Sequence, residues 1–112
     1  MISTKITERY GIEVPLVSAG MGFRSVPALV SAVSNAGGLG LLANGAAPAD
    51  VLRSVIRATR EQTSRPFGVN FIVEAIAFGP LTTEAPIRVC VEERIPVAVF
   101  FGRRRLQNGC AN

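Results

Sequence analysis

Four short, almost wholly apolar runs divide the chain, and the segments between them carry helical spacing or helical start and stop signals. The runs are 12–19 (IEVPLVSA), 39–43 (LGLLA), 66–73 (PFGVNFIV) and 96–101 (PVAVFF). Apolar runs of this length without polar alternation are typical of strands that are covered on both faces. Strands that alternate with helices predict parallel pairing and right-handed crossovers. The predicted fold class is therefore α/β. The strands are arranged either as an open doubly wound sheet or as half of a (β/α)8 barrel.

The first and third of the three predicted helices are defined by their ends. In the first helix, Ser25 can serve as the N-cap, Pro27 fits the first turn, and Gly37 or Gly38 supplies a left-handed stop. The third helix is predicted from Thr82 or Thr83 to Arg94.

The second predicted helix, which begins at Pro48, has the clearest amphipathic pattern. Its apolar stripe consists of Val51, Leu52, Val55 and Ile56, and its other face carries Arg53, Arg57, Arg60 and Glu61. The spacing of the stripe is that of one helix face against a core. We expect the charged face to be solvated surface.

Composition indicates one globular domain without a membrane or nucleic-acid role. Of 112 residues, 48% are hydrophobic, and the apolar runs are far shorter than the roughly 20 residues of a membrane span. The net charge is +4, but it falls to +1 without the three arginines at 103–105. The N-terminus is too charged for a secretory signal, so we expect a cytoplasmic protein. Cys90 and Cys110 lack metal-site spacing, and we expect a buried and an exposed reduced thiol, respectively.

Two glycine-rich segments invite comparison with phosphate-binding loops. Residues 38–43 spell G-x-G-x-x-A, but they follow a predicted helix, whereas a dinucleotide loop follows a strand and opens a helix. This segment is therefore predicted to be a hinge, in which Gly40 lies inside a strand and its missing side chain permits close packing. Residues 18–25 (SAGMGFRS) do follow a strand, although Ser25 occupies the third glycine position and the ribose-binding acid is missing. This turn either lets a flat ligand approach bare backbone or merely eases a tight turn.

Asn70 is the one amide in the apolar run 66–73. A buried carboxamide costs about 1–3 kcal/mol unless its polar atoms find partners. Those partners are either the neighbouring backbone or the edge of a heterocyclic ligand.

The four motifs PLVSAGMGF, VSNAGGLGLLA, RPFGVNFIV and IPVAVFF occur in this order, and over residues 6–101 the chain resembles the nitronate monooxygenase family. The resemblance implies a TIM barrel that binds FMN and oxidises alkyl nitronates with molecular oxygen, without a metal. By the resemblance, Ala19, Gly20, Met21 and Gly22 match the family's Ala-Pro-Met segment beside the isoalloxazine ring. Gly20 replaces the usual proline, which implies a looser backbone. Asn70 matches an asparagine whose side chain contacts the flavin.

The chain also departs from that family. A TIM barrel takes about 250 residues and usually builds its phosphate site after strands seven and eight. The family's histidine base is missing too, since the chain contains no histidine. We therefore expect residues 1–101 to be the N-terminal half of an FMN-binding TIM-barrel domain and residues 102–112 to be a basic, irregular or frameshifted tail. No catalytic residue is assigned, and we expect the isolated chain to have little or no turnover, whether it is a truncated product or a natural half-barrel.

Three alternatives remain open at this point. The first is another flavin TIM-barrel oxidoreductase, similar to an enoyl-carrier-protein reductase or to inosine-monophosphate dehydrogenase. The second is a non-catalytic half-barrel that self-associates through open sheet edges. The third is a polyanion-binding protein that uses the arginines at 103–105.

Overall fold

The computed structural model describes residues 2–22, 26–73, 75–76, 79–80 and 82–102. In chain order the elements are α1 (Lys5–Tyr10), α2 (Pro27–Asn35), β1 (Gly40–Leu42), α3 (Ala49–Gln62), β2 (Phe67–Ile72), β3 (Ala75–Ile76), β4 (Gly79–Pro80), α4 (Glu84–Glu92) and β5 (Val97–Phe101). The predicted alternation of strands and helices is confirmed from α2 onwards.

Strands β1, β2 and β5 form a parallel sheet in that order. The register pairs Gly40 with Phe67 and Gly68 with Val97. Helix α3 connects β1 to β2, and α4 lies on the connection from β2 to β5, as expected for crossovers in an α/β fold. The short antiparallel pair β3–β4 was not predicted.

The two faces of the sheet are covered differently because side chains alternate along each strand. Phe67, Val69 and Phe71 of β2 belong to the main core, which also contains residues of α2, α3 and α4. A smaller cluster contains Leu39, Leu41 and Val97, together with Ile12. The helical layer thus covers one face, while the other face is packed mainly near the amino ends of the strands.

Two glycines determine how α2 joins β1. Gly37 has φ +100°, and the N–H groups of Gly37 and Gly38 donate to the carbonyls of Ser34 and Val33, which is the Schellman arrangement. A Cβ at Gly40 would collide with the carbonyl oxygen of Val30 on α2. The predictions of a left-handed helix stop and of close packing at Gly40 are both confirmed. Ser25 lies outside the described residues, and the N-cap position is Val26.

The predicted first strand is wrong in extent. Within 12–19 the sheet contact is a single parallel bridge between Val17 and Leu39. Pro15 has no N–H, and the N–H of Leu16 turns back to the carbonyl of Val14 at 2.8 Å, so the preceding residues bend away from a regular ladder. Leu16 is 68% exposed, so coverage on both faces is also wrong.

Helix α1 was missed at the sequence level, although its end signals are present. Thr4 and Thr7 form a reciprocal capping box, with the Thr7 N–H donating to Thr4 Oγ1 and the Thr4 N–H donating to Thr7 Oγ1. Gly11 ends the helix with φ +67°. The capping box has a threonine in place of the usual Glu or Gln, so the sequence signal for this helix start is weaker.

The charged face of α3 is not simply solvated, which corrects the expectation for Arg53, Arg57 and Arg60. All three guanidinium groups donate to the carboxylate of Glu93, just beyond α4, at 2.8, 3.2 and 3.1 Å. Arg53 also pairs with Glu92. Conversely, Val51 of the predicted apolar stripe is exposed, whereas Leu52 and Ile56 are fully buried. The ion pairs therefore bind α3 to the end of α4.

Cys90 is buried as predicted, and burial raises the pKa of its thiol to about 11. A thiol in this state is unreactive at neutral pH. Cys110 and the residues 103–112 of the predicted tail lie outside the described residues. Within the described ranges no helix is long and apolar enough to span a membrane, and no cluster of metal-ligating side chains occurs.

We expect the Glu93→Gln variant to lose stability in a pH-dependent way. The hydrogen bond from Arg53, together with the charges of Arg57 and Arg53, holds the pKa of Glu93 below its ordinary value of 4.5, even though desolvation acts in the opposite direction. A lowered folded-state pKa stabilises the fold above pH 4.5, and this contribution is lost as the pH falls through the folded pKa. Urea unfolding should show a loss of about 1 kcal/mol at neutral pH that shrinks in acid.

The control for this prediction is Glu61→Gln, an exposed carboxylate on α3. We expect it to leave both the neutral and the acid stability unchanged. Equal effects of the two substitutions would contradict the role of Glu93.

Candidate active site

Because the pairing is parallel, the segment that contains Val17 and the strands β1 and β2 all have their carboxyl ends at the same end of the sheet. We call this end, with the segments 18–22 and 43–48 and the side chain of Asn70, the carboxyl edge. Open and closed α/β sheets both place their ligand sites at this end, because the loops that follow the strands converge there. The sequence-predicted residues 19–22 directly follow the segment bridged at Val17, and Asn70 is the fourth of the six residues of β2.

Gly20 and Asn70 are in direct proximity. A Cβ at Gly20 would lie 2.7 Å from Asn70 Nδ2 and 3.1 Å from Asn70 Cγ. Only a residue without a side chain can hold its backbone so close to this carboxamide in its present position. The predicted turn and the predicted amide thus form one continuous surface.

The turn itself presents main chain to solvent. Ala19, Gly20, Met21 and Gly22 are all exposed. Gly22 has φ +59°, and a Cβ there would have nothing within 4 Å. A flat ligand therefore has access to the backbone of this turn.

Asn70 lies on the face of β2 that points away from the helical layer. It is half-buried and alternates with the fully buried Val69 and Phe71, whose side chains enter the main core. Its partner in the sheet register is Val99 of β5. The strand thus holds one polar side chain on its otherwise apolar face, next to Gly20.

The carboxyl edge is uncharged in its central part. Residues 19–22 and Asn70 include no titratable side chain, and among the described residues the resolved pKa shifts belong to Arg53, Cys90 and Glu93, on or next to α3 and α4. The available chemistry is that of main-chain groups and one carboxamide, which can both donate and accept hydrogen bonds. Such an arrangement can bind and orient a neutral heterocycle, but it supplies no general base or nucleophile.

Two further residues of the carboxyl edge were missed at the sequence level. Gly45 is buried, and a Cβ there would lie 2.5 Å from the carbonyl oxygen of Asn70 and 2.9 Å from Phe71 Cα. Ser18 accepts a hydrogen bond on Oγ from the N–H of Leu41 at 3.1 Å. The Asn44–Gly45 pair after a predicted strand was an available turn signal, whereas a serine at the end of an apolar run gives no comparable signal.

The family model for nitronate monooxygenase matches residues 3–105. The chain belongs to the nitronate monooxygenase family. It is 53% identical over 60 residues to a nitronate monooxygenase from Paraburkholderia phytofirmans, covering 54% of this chain and 16% of that protein. It is also 38% identical over 101 residues to a Rhodococcus jostii (3aS,4S,5R,7aS)-5-hydroxy-7a-methyl-1-oxo-octahydro-1H-indene-4-carboxyl-CoA dehydrogenase, covering 88% of this chain and 27% of that protein.

Solved structures agree with this assignment. FabK from Thermotoga maritima superimposes with a TM-score of 0.78 at 38% identity, over 89% of this chain and 30% of that one. Nitroalkane oxidase from Streptomyces ansochromogenes superimposes with a TM-score of 0.74 at 29% identity, over 87% of this chain and 35% of that one. The fold is thus a partial α/β barrel, which is the second of the two arrangements predicted from the sequence. The chain spans about a quarter to a third of the length of the Rhodococcus jostii dehydrogenase, of FabK and of nitroalkane oxidase.

We expect Gly20→Ala to displace the Asn70 carboxamide. The new methyl group cannot occupy its position 2.7 Å from Nδ2 without moving that side chain. The side-chain NH2 signals of Asn70 should shift in a ¹⁵N–¹H NMR spectrum. The free energy of unfolding should fall by only about 1 kcal/mol, because the end of the Asn70 side chain can move away from the added methyl group.

The matched control is Gly22→Ala, where the added Cβ meets open space. It carries the backbone strain of a left-handed residue but should leave the Asn70 signals in place. If neither substitution moves those signals, the proximity of Gly20 and Asn70 is wrong.

Proposed function

We propose that the carboxyl edge forms one wall of an FMN site in an oxidoreductase that oxidises alkyl nitronates with molecular oxygen. The observation that carries this proposal is the contact between the bare backbone at Gly20 and the carboxamide of Asn70. The family membership and the partial barrel support the same function.

The residues present fit a flavin ring. A space that a Cβ at Gly20 would fill lies directly against an amide, and the exposed main chain of 19–22 borders it. A flavin has flat faces that need close contact with small groups and an edge of N–H and C=O groups that a carboxamide can match. No charged side chain within 19–22 or at position 70 opposes a neutral ring.

FMN, when bound, would supply the redox chemistry between an alkyl nitronate and oxygen, while the protein would supply binding and orientation. Residues 19–22 would support the ring through main-chain contacts, and Asn70 would fix its rotation by hydrogen bonding. Asn70 is not a proton donor or acceptor for catalysis, and the chain has no histidine. We therefore infer that this chain binds the cofactor without turning over substrate.

The longer match to the Rhodococcus jostii dehydrogenase favours a second candidate, another flavin-barrel oxidoreductase with a different electron donor. The residues of the carboxyl edge orient a flavin equally well in both cases, because they include no group that would contact one substrate class alone. The nitronate function is preferred because the family model covers residues 3–105.

We expect FMN to bind saturably to the 112-residue protein and Asn70→Ala to weaken this binding about tenfold. Loss of hydrogen bonds worth about 1–1.5 kcal/mol corresponds to that factor. Titration followed by FMN fluorescence measures the dissociation constant, and oxygen uptake with an alkyl nitronate should show no turnover.

The matched control is Asn35→Ala. Asn35 Nδ2 donates to the carbonyl of Gln62, the last residue of α3, at 3.1 Å, and Asn35 Oδ1 accepts a hydrogen bond from the Thr63 hydroxyl at 2.6 Å. This substitution also removes amide hydrogen bonds, but it should leave FMN affinity unchanged. Absence of saturable FMN binding, or equal weakening by both substitutions, would contradict the proposed site.

The outer edge of β5 supports self-association as a further part of this proposal. Phe100 and Phe101 are 52% and 66% exposed, and within the described ranges β5 pairs only with β2. An unpaired apolar edge is a template for a second chain. We expect a dimer by light scattering, and Phe101→Glu should convert it to monomer.

Val91→Glu is the control for the dimer, because Val91 is equally apolar and exposed but lies on α4. It should leave the mass unchanged. A wild-type protein that is monomeric at high concentration would exclude self-association through β5.

A further inference from the structure

The first apolar segment contacts the chain just before β1 through the single parallel bridge between Val17 and Leu39. The N–H of Leu39 donates to the carbonyl of Leu16 at 2.9 Å, and the N–H of Ser18 donates to the carbonyl of Leu39 at 2.9 Å. In a continued ladder the next bond would run from the N–H of Leu41 to the carbonyl of Ser18. Instead, the Leu41 N–H donates to Ser18 Oγ at 3.1 Å.

Because the Ser18 hydroxyl takes the place of the main-chain carbonyl as acceptor, the pairing ends without leaving the N–H of Leu41 unpaired. A buried N–H without an acceptor is costly, so a strand that ends early needs another acceptor at this point. With the hydroxyl in that position, the carbonyl of Ser18 is not required there, and the main chain can turn out of the sheet. The turn at 19–22 begins at the next residue.

The direction of this turn matters because β1 lies between the first segment and β2. Val17 contacts Leu39 beside β1, whereas Gly20 lies against Asn70 on β2. Within three residues the chain must therefore cross the end of β1. A strand that continued beside β1 would instead carry Gly20 along the outer edge.

We propose that Ser18 is a positioning residue: its hydroxyl replaces the main-chain carbonyl as acceptor for Leu41 and thereby directs the turn at 19–22 across β1 onto Asn70. This inference rests on the proposed function, because the turn and Asn70 together form the flavin wall. Ser18 touches no ligand in this scheme, and it acts through the backbone.

The chain contains a matched serine at the other end of the same strand. Ser34 Oγ accepts a hydrogen bond from the N–H of Gly40 at 3.1 Å, and Ser34 is buried on α2. Both serines thus accept a hydrogen bond from a main-chain N–H of β1 at the same distance, 3.1 Å. Only Ser18 precedes the turn at the carboxyl edge.

The experiment compares Ser18→Ala, Ser18→Thr and Ser34→Ala in the 112-residue protein. Urea unfolding should show similar losses for the two alanine variants. Only Ser18→Ala should shift the side-chain NH2 signals of Asn70 in FMN-free protein and weaken FMN binding about tenfold. Ser18→Thr keeps the hydroxyl and should restore both properties.

The positioning role is overturned if Ser18→Ala leaves the Asn70 signals in place, or if Ser34→Ala shifts them equally. If Ser18→Ala does not fold, Ser18→Cys replaces it, because a thiol is a weaker acceptor and should shift the same signals by a smaller amount. The NMR result decides the positioning role even where FMN fails to bind to wild type. Conversely, FMN binding that is insensitive to Ser18 overturns the positioning role and leaves the flavin site intact.

Discussion

The candidate site depends on one steric constraint, the passage of the main chain across the end of β1. The chain leaves the sheet after Ser18 and reaches Asn70 on β2 at Gly20, where even one Cβ would be too close to the carboxamide. The loop that follows β1 also contacts β2, since Gly45 packs against the main chain of Asn70 and Phe71. Two glycines on separate loops thus enclose the end of β2.

Among the described residues, the ion pairs around Glu93 lie on the helical side of the sheet, away from this site. The guanidinium groups of α3 and the carboxylate of Glu93 hold the helical layer together, and burial keeps the thiol of Cys90 protonated on the same side of the sheet. Asn70 points to the opposite face. Changes in pH therefore act on the packing of α3 against the end of α4, whereas the binding surface at 19–22 and Asn70 carries no charge that would respond.

Much of this architecture follows from local signals in the sequence. The stop at Gly37, the close packing at Gly40 and the polar interruption at Asn70 each have a local chemical cause, and all three were predicted. The predictions of a full first strand and of a buried Val51 were wrong, because a pattern of apolar residues does not show which neighbours cover each residue. Ser18 and Gly45 were missed because their roles depend on contacts across the fold.

The contact at Gly20 also changes the meaning of its departure from the family pattern. The resemblance places a proline at this position, which predicted a looser backbone here. A proline also carries a Cβ, and that atom would meet Asn70 Nδ2 at 2.7 Å in the present geometry. A chain with proline must therefore hold the turn farther from the amide or rotate the amide away. Glycine at this position therefore lets the turn and Asn70 approach each other more closely than proline would allow.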